Sequence, residues 1–372
     1  MPPTATANAP TLPFEIASQY SSRPSLVIPN VSLQASAPTP ITPQQIPAVG
    51  YINGLLLEVI ITGSGGTTPA FTADGPFNVI QTISLRNAAG VNLIAPVNGY
   101  DLYVMNKFGG QVNPGFGPYA DPKFGLQYSA TAPSAHFFLW VPLILDPTTG
   151  LGAIPALASN ASYQLDATLA SIATVLTGGP SVSVTINADA YYFDLPASQD
   201  STGVAQATTP EANGTTSIWL KESPAVVPGT QFVQSFNVGN VIRNHIMVLR
   251  NSAGARIDTN GWPNLFELYI DNNPRFSFRR NVFENLMSRW YGLGAATKDI
   301  AGGLDTGVYA IPYHALLNGV SGDANNTRAQ LLPTITGTLL QMVARDFGSA
   351  ASTLQIFTQT VSTASPQVLF GK

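Results

Sequence analysis

The feature that most limits what this chain can fold into is that it carries one pattern twice. "VGYINGLLLEVIITGSGG" begins at Val49 and "VGNVIRNHIMVLRNSAGA" at Val238. Each opens on a valine and a glycine, runs through β-branched and apolar residues, and closes on small turn formers, which is how a strand between turns reads. Five further pairs follow in the same order. "GPFNVIQTISLRNAAG" matches "GWPNLFELYIDNNPR" with Asn78 on Asn264, and Met105-Asn-Lys107-Phe108 falls on Met287-Ser-Arg289-Trp290. Val141-Pro142 falls on Ile311-Pro312, then "YQLDATL" on "AQLLPTI" with Leu165 on Leu331, and lastly Ile186 on Ile356. The offset ranges between 189 and 166 residues, as insertions and deletions between preserved strands require. Apolar alternation alone is common in any all-β chain, but collinear order is not, so the chain reads as two copies of one β-sandwich.

The segments between turn residues are predominantly strand-like: "LLLEVIITG", "NVIQTISLRN", "HFFLWVPLIL", "SVSVTINADAYYF", "HIMVLRN", "LFELYIDN", "VYAIPYHALL" and "TLQIFTQTVS". Only "GYDLYVMNKFGG" and "RRNVFENLMSRWYG" place apolar residues at i, i+3 and i+4 and then stop at glycine, as a helix does. Many short antiparallel strands, one helix per copy and long connections suit an all-β double jelly roll, two tandem eight-stranded sandwiches with a few short helices. Proline, alanine, serine and threonine dominate the first residues, so 1–48 reads as an extended N-terminal arm, with room for one short strand at "SLVIPNVSLQ". The low apolar content of 194–228 marks a linker. The first roll is therefore expected over 49–193 and the second over 229–372.

Charged residues make up only 10% of the chain, against about 25% in an average soluble domain. Such a surface is either polar and neutral or covered by other subunits. Residues 1–220 carry 4 basic and 11 acidic side chains, residues 221–372 carry 12 and 9, so the halves differ in sign. This falls short of the basic stripe a nucleic-acid binder needs, and no specific nucleic-acid binding is expected. There is no cysteine, hence no disulfide or thiolate site. The N-terminal stretch lacks the basic and apolar regions of a secretory signal, and the longest apolar runs are far short of the roughly 18 residues of a spanning helix.

Catalysis would need a constellation that the residues do not offer. A metal-binding bicupin needs clustered imidazoles, whereas His136, His245 and His314 are 109 and 69 residues apart and read as structural. Carboxylate pairs for glycoside hydrolysis, Asp189 with Asp194 or Glu267 with Asp271, have no support beyond proximity in sequence. Trp140, Trp262 and Trp290 sit in strand or helix contexts suited to core packing; Trp219, in the linker, is the one candidate for stacking on a sugar. "TGSGGTTPA" at Thr62 lacks the lysine of a phosphate loop. The run holding Arg275, Arg279, Arg280 and Arg289 with interleaved aromatics suits a protein interface better than bound bases, with Glu267, Asp271 and Glu284 near enough to partner it. No catalytic, cofactor-binding or metal site is expected, and the chain does not read as an enzyme.

"GPFNVIQTISLRNAAGVNLIAPVNGYDLYVMNKFGG", with the duplicated layout of 49–372, resembles the double jelly-roll major capsid proteins of tailless, membrane-containing bacteriophages, the tectivirus-like lineage, including phages of actinobacteria. The resemblance implies a homotrimer whose six rolls form a pseudo-hexagonal capsomer of an icosahedral shell around an internal membrane. It implies contacts with neighbouring capsomers, with penton or minor capsid proteins, and with the membrane through the N-terminal arm. It places the chain in the virion, assembled in the host cytoplasm, and makes "KFGGQVNPGFGPYADPKFG" a tower or interface loop. A virion spike or minor structural protein, and a secreted carbohydrate-binding β-sandwich, are the alternatives.

Overall fold

A computed structural model describes residues 11–109, 127–128, 133–145, 150–157, 163–210, 214–258, 261–291, 304–313, 331–334 and 339–362. They form two sandwiches with one strand order. In the first, Tyr20–Ser32, Ser181–Phe193, Gly50–Ser64 and Ala135–Pro142 pair side by side, and the facing layer is Thr39–Pro40 with Gln44–Gln45, then Gln164–Leu169, Ile80–Arg86 and Asn92–Val97. In the second, Thr216–Glu222, Thr353–Ser362, Val241–Arg250 and Val308–Pro312 face Phe232–Phe236, Leu340–Arg345, Leu265–Ile270 and Asn273–Arg279. Taken along the chain, the eight strands of each half occupy the same places.

Sequence alternation explains the layers. On Gly50–Ser64, Leu55, Leu57, Val59 and Ile61 are buried in the sandwich while Leu56, Glu58 and Ile60 on the opposite face are half-buried. That is the two-residue period of a strand with one covered face. The helices are Gly99–Phe108 and Arg280–Tyr291, where the apolar spacing predicts them.

The duplication extends to irregularities. Gly54 pairs with Tyr191 but Ile52 with Tyr192, so Asn53 bulges; Asn244 pairs with Gln359 but Ile242 with Thr360, so Arg243 bulges at the matching place. A β-bulge bends and twists its strand, so both long strands curve at one position. Gly50 and Gly239, just upstream, both have positive φ, 123° and 104°, a conformation in which a side chain would be strained.

Three details differ from the sequence reading. Within the stretch read as an arm, Tyr20–Ser32 is a full strand along Ser181–Phe193; within the stretch read as a linker, Thr216–Glu222 is a strand along Thr353–Ser362. Edge strands have one open side, and this tolerates Pro24 and Pro29, the residues that made the stretch look irregular. Leu165 does not correspond to Leu331. Gln164–Leu169 pairs with Ile80–Arg86, a role taken in the second half by Leu340–Arg345 on Leu265–Ile270, while Leu332–Pro333 matches Ile154–Ala156, both short strands on the start of a long one. Finally, pairing equates Ala188, not Ile186, with Ile356, because Ala188 faces Leu57 and Ile356 faces Met247. A two-residue shift keeps the side-chain face, so periodicity could not detect it.

Candidate functional site

The structural centre of the chain is the seam where the first roll's helix meets the second roll's long sheet. Asn98 and Asp101 start that helix with reciprocal hydrogen bonds: the Asp101 amide donates to Asn98 Oδ1 at 2.7 Å and the Asn98 amide to Asp101 Oδ2 at 2.9 Å. All ten helix residues are buried, including Asp101, Asn106 and Lys107. Buried charge needs partners, and the second roll supplies them.

Lys107 Nζ lies 2.6 Å from Asp305, which also accepts the Tyr103 hydroxyl at 2.9 Å. Lys221 reaches Asp101 at 2.5 Å. Asp74 takes Arg250 at 2.8 Å and Arg256 at 2.7 Å, and these two guanidinium groups lie 5.5 and 4.5 Å from the centre of the Tyr100 ring. Burial pushes the Tyr100 hydroxyl well above its usual range, so it stays protonated and donates to the Leu304 carbonyl at 2.5 Å. Past the helix end, Asn244 Nδ2 donates to the Gly109 carbonyl at 3.1 Å and the Tyr291 hydroxyl to the Phe108 carbonyl at 3.0 Å. The sign difference between the chain's halves is thus used within the chain: Asp74 and Asp101 of the acidic half meet Lys221, Arg250 and Arg256 of the basic half.

The seam also joins sheets. Trp219, on the second roll's edge strand, pairs in parallel with Ile94 on the first roll's edge strand, so two four-strand layers run into one sheet. The Trp219 side chain is 1% exposed and lies over Gly109, where a Cβ would meet its ring at 3.0 Å and the Met105 carbonyl at 2.3 Å. Glycine there lets the indole close the helix end.

No family model matches the sequence, and no curated protein sequence matches it. Solved structures do. The STIV MCP superposes with a TM-score of 0.64 at 14% identity, over 93% of this chain and 97% of that one. The PBCV-1 virus capsid gives 0.57 at 12% identity, over 96% and 95%, and the major capsid protein of bacteriophage PM2 gives 0.50 at 11% identity, over 93% and 98%. The fold is a double jelly roll.

In this double jelly roll the candidate residues of the sequence reading lie apart. His136 is on the outer face of the first roll, its Nε2 2.9 Å from Glu58 Oε1. Glu58 also accepts Asn187 Nδ2 at 2.8 Å, and that hydrogen bond, with His136 beside it, holds the carboxyl below its usual range. His245 is inside the second roll, between the Phe236 and Tyr313 rings, with Nδ1 2.9 Å from Thr358 Oγ1; burial lowers its pKa to about 3. His314 lies outside the described residues. Asp194 accepts from Ser21, Glu267 lies 3.6 Å from Arg345, and Asp271 accepts the Leu339 amide, so each of these three carboxylates has a partner within the fold.

Trp262 stacks on Tyr309 at 3.7 Å in the second core and Trp290 packs near Phe283 and Phe278; Trp140 lies half-buried against Tyr191. Trp219, the candidate for a sugar, is sealed in the seam. Arg275 and Arg279 are exposed, Arg280 lies 3.9 Å from Glu284, and the Arg289 side chain is outside the described residues, as are 110–125 of the expected tower loop. Sequence reasoning missed the seam residues Asp74, Arg250, Arg256 and Asp305. The signal was present in "VIRNHIMVLR": a strand without alternation is covered on both faces, and its polar side chains must then have partners across that cover.

Proposed function

We propose that this chain is the major capsid protein of an icosahedral virus, working as a homotrimer whose six rolls form a pseudo-hexagonal tile. The observation that carries the reading is the matched pair of eight-stranded rolls, alike down to the bulges at Asn53 and Arg243, locked by a buried seam. One subunit then offers two similar edges at a fixed angle, which a threefold ring converts into six. The likeness to capsid proteins of several viruses supports it, as does the scarcity of charge, because association buries surface in which charged residues are depleted.

On this reading the first roll begins at Tyr20 and the second at Thr216, each with its outer edge strand, and the arm shortens to the residues before Tyr20. The tile's partners are neighbouring capsomers, penton or minor capsid proteins, and an internal membrane approached by the arm. Its place is the virion shell, assembled in the host cytoplasm. Negative-stain images of the purified chain test this: six-lobed, near-hexagonal particles are expected, and isolated two-lobed particles would contradict it.

A further inference from the structure

The seam covers one of two equivalent sheet faces and one of two equivalent helices. On the second roll, the outer face of the long sheet, with Asn244, Ile246, Val248, Arg250, Phe357 and Gln359, is buried under the first roll's helix. The pairing register equates these with Gly54, Leu56, Glu58, Ile60, Asp189 and Tyr191 of the first roll. That face is half-buried, and among the described residues no helix lies over it. It is unusually apolar for an outer surface: Leu56, Ile60, Phe138, Trp140 and Tyr191 surround the Glu58–His136 pair, whose side chains are only 32% and 33% exposed.

The helices show the reciprocal difference. Tyr100 and Tyr103 turn toward the second roll and bond with its 304–305 turn. With Met105 on Met287, their counterparts are Val282 and Asn285, and both are exposed, Val282 at 50%. The sheet edges are left over in the same way. Asn92–Val97 meets Thr216–Glu222 at the seam, whereas their counterparts Asn273–Arg279 and Tyr20–Ser32 are terminal strands of their sheets.

We infer that these leftover surfaces are complementary: the Asn273–Tyr291 strand and helix of one copy docks on the outer face and Tyr20–Ser32 edge of the first roll of a second copy, repeating the intrachain seam between chains. Resting on the trimer reading above, it names the faces that close the ring. Charge supports the match. Arg275, Arg279 and Arg280 line the docking side, and Glu58 and Asp189 lie on the receiving face, with Asp194 beside its edge strand and Arg23 the cation on that strand. The seam already joins opposite charges, with the signs exchanged. Because the contact is head-to-tail, every copy uses both surfaces, and closure into a ring leaves neither exposed.

By the same equivalence, Tyr100 beside Arg250 within the chain becomes Val282 beside Ile60 of the next copy. The chain has no cysteine, so an Ile60→Cys/Val282→Cys variant tests this contact without background. Oxidation is expected to give covalent dimers and trimers of the double variant, and mixing the two single variants to give dimers only. Val91→Cys/Val282→Cys, with one thiol moved to an exposed hairpin tip, controls for random collision. Should the first pair fail to fold, His136→Cys/Asn285→Cys carries the same test. A wild-type trimer whose double variant crosslinks no more than the control overturns this inference and leaves the trimer reading intact. A wild-type monomer overturns both.

Discussion

Lys107 Nζ sits 2.6 Å from the Asp305 carboxylate across the seam, with 8% and 1% of the two side chains exposed. Removing one partner of such a pair leaves the other charged and buried, a change that costs about 3–5 kcal/mol. Lys107→Met is therefore expected to lower the unfolding free energy by that amount in urea titration. Lys107→Met/Asp305→Leu is expected to recover part of the loss, because no buried charge remains, although the Tyr103 hydroxyl then lacks this acceptor.

Trp219 closes the helix end at Gly109 while its neighbour Leu220 points to solvent. Trp219→Ala is expected to destabilise by about 3–5 kcal/mol, and Leu220→Ala to stay within about 0.5 kcal/mol. Equal effects from the two substitutions would mean that the indole is not a seam residue.

Most of this architecture was legible because a β-sandwich writes its layers into a two-residue period. Ser181–Phe193 and Thr353–Ser362 have the limits that their alternation predicts, and both helices stand where their spacing puts them. The edge strand Tyr20–Ser32 was hidden by its own tolerance: an edge needs fewer ladder donors, so Pro24 and Pro29 fit it and disguise it. The Leu165 to Leu331 match failed because a shared Gln-Leu with a threonine three residues on is too little to tell one strand from another. The seam's charged partners were hidden for a different reason, although the unbroken burial of Val241–Arg250 marked the covered face. Asp74, Asp101, Lys107 and Asp305 are ordinary charges in sequence, and only the docking of one roll on the other makes them buried partners.

His245 gives a distinct pH signature. Burial lowers its pKa to about 3 from an ordinary value of 6.5, so between these values the unfolded chain binds a proton that the folded one refuses. Stability then falls as pH falls, with the contribution complete above 6.5 and lost toward 3. Going from pH 7 to pH 5 is expected to cost wild type about 2 kcal/mol more than His245→Leu, from the shift of one proton. Parallel profiles for the two proteins would show that His245 takes up a proton as readily in the fold as in the unfolded chain, and would contradict this account.

Glu58 acts in a lower window. Asn187 and His136 hold its carboxyl below the ordinary 4.5, so its contribution is complete above that value and disappears as pH falls through the lowered one. Glu58→Gln is expected to flatten the stability profile below pH 4.5 and to leave its slope between pH 5 and 7 unchanged. A change confined to the upper range would assign the dependence to another group.

The native mass of the purified chain by light scattering tests the central claim most directly. A duplicated subunit built to close a six-roll ring predicts a stable particle near three times the 39.1 kDa chain mass. A chain that stays at 39.1 kDa at high concentration would contradict the account, leaving a well-fused pair of rolls with no tile to build.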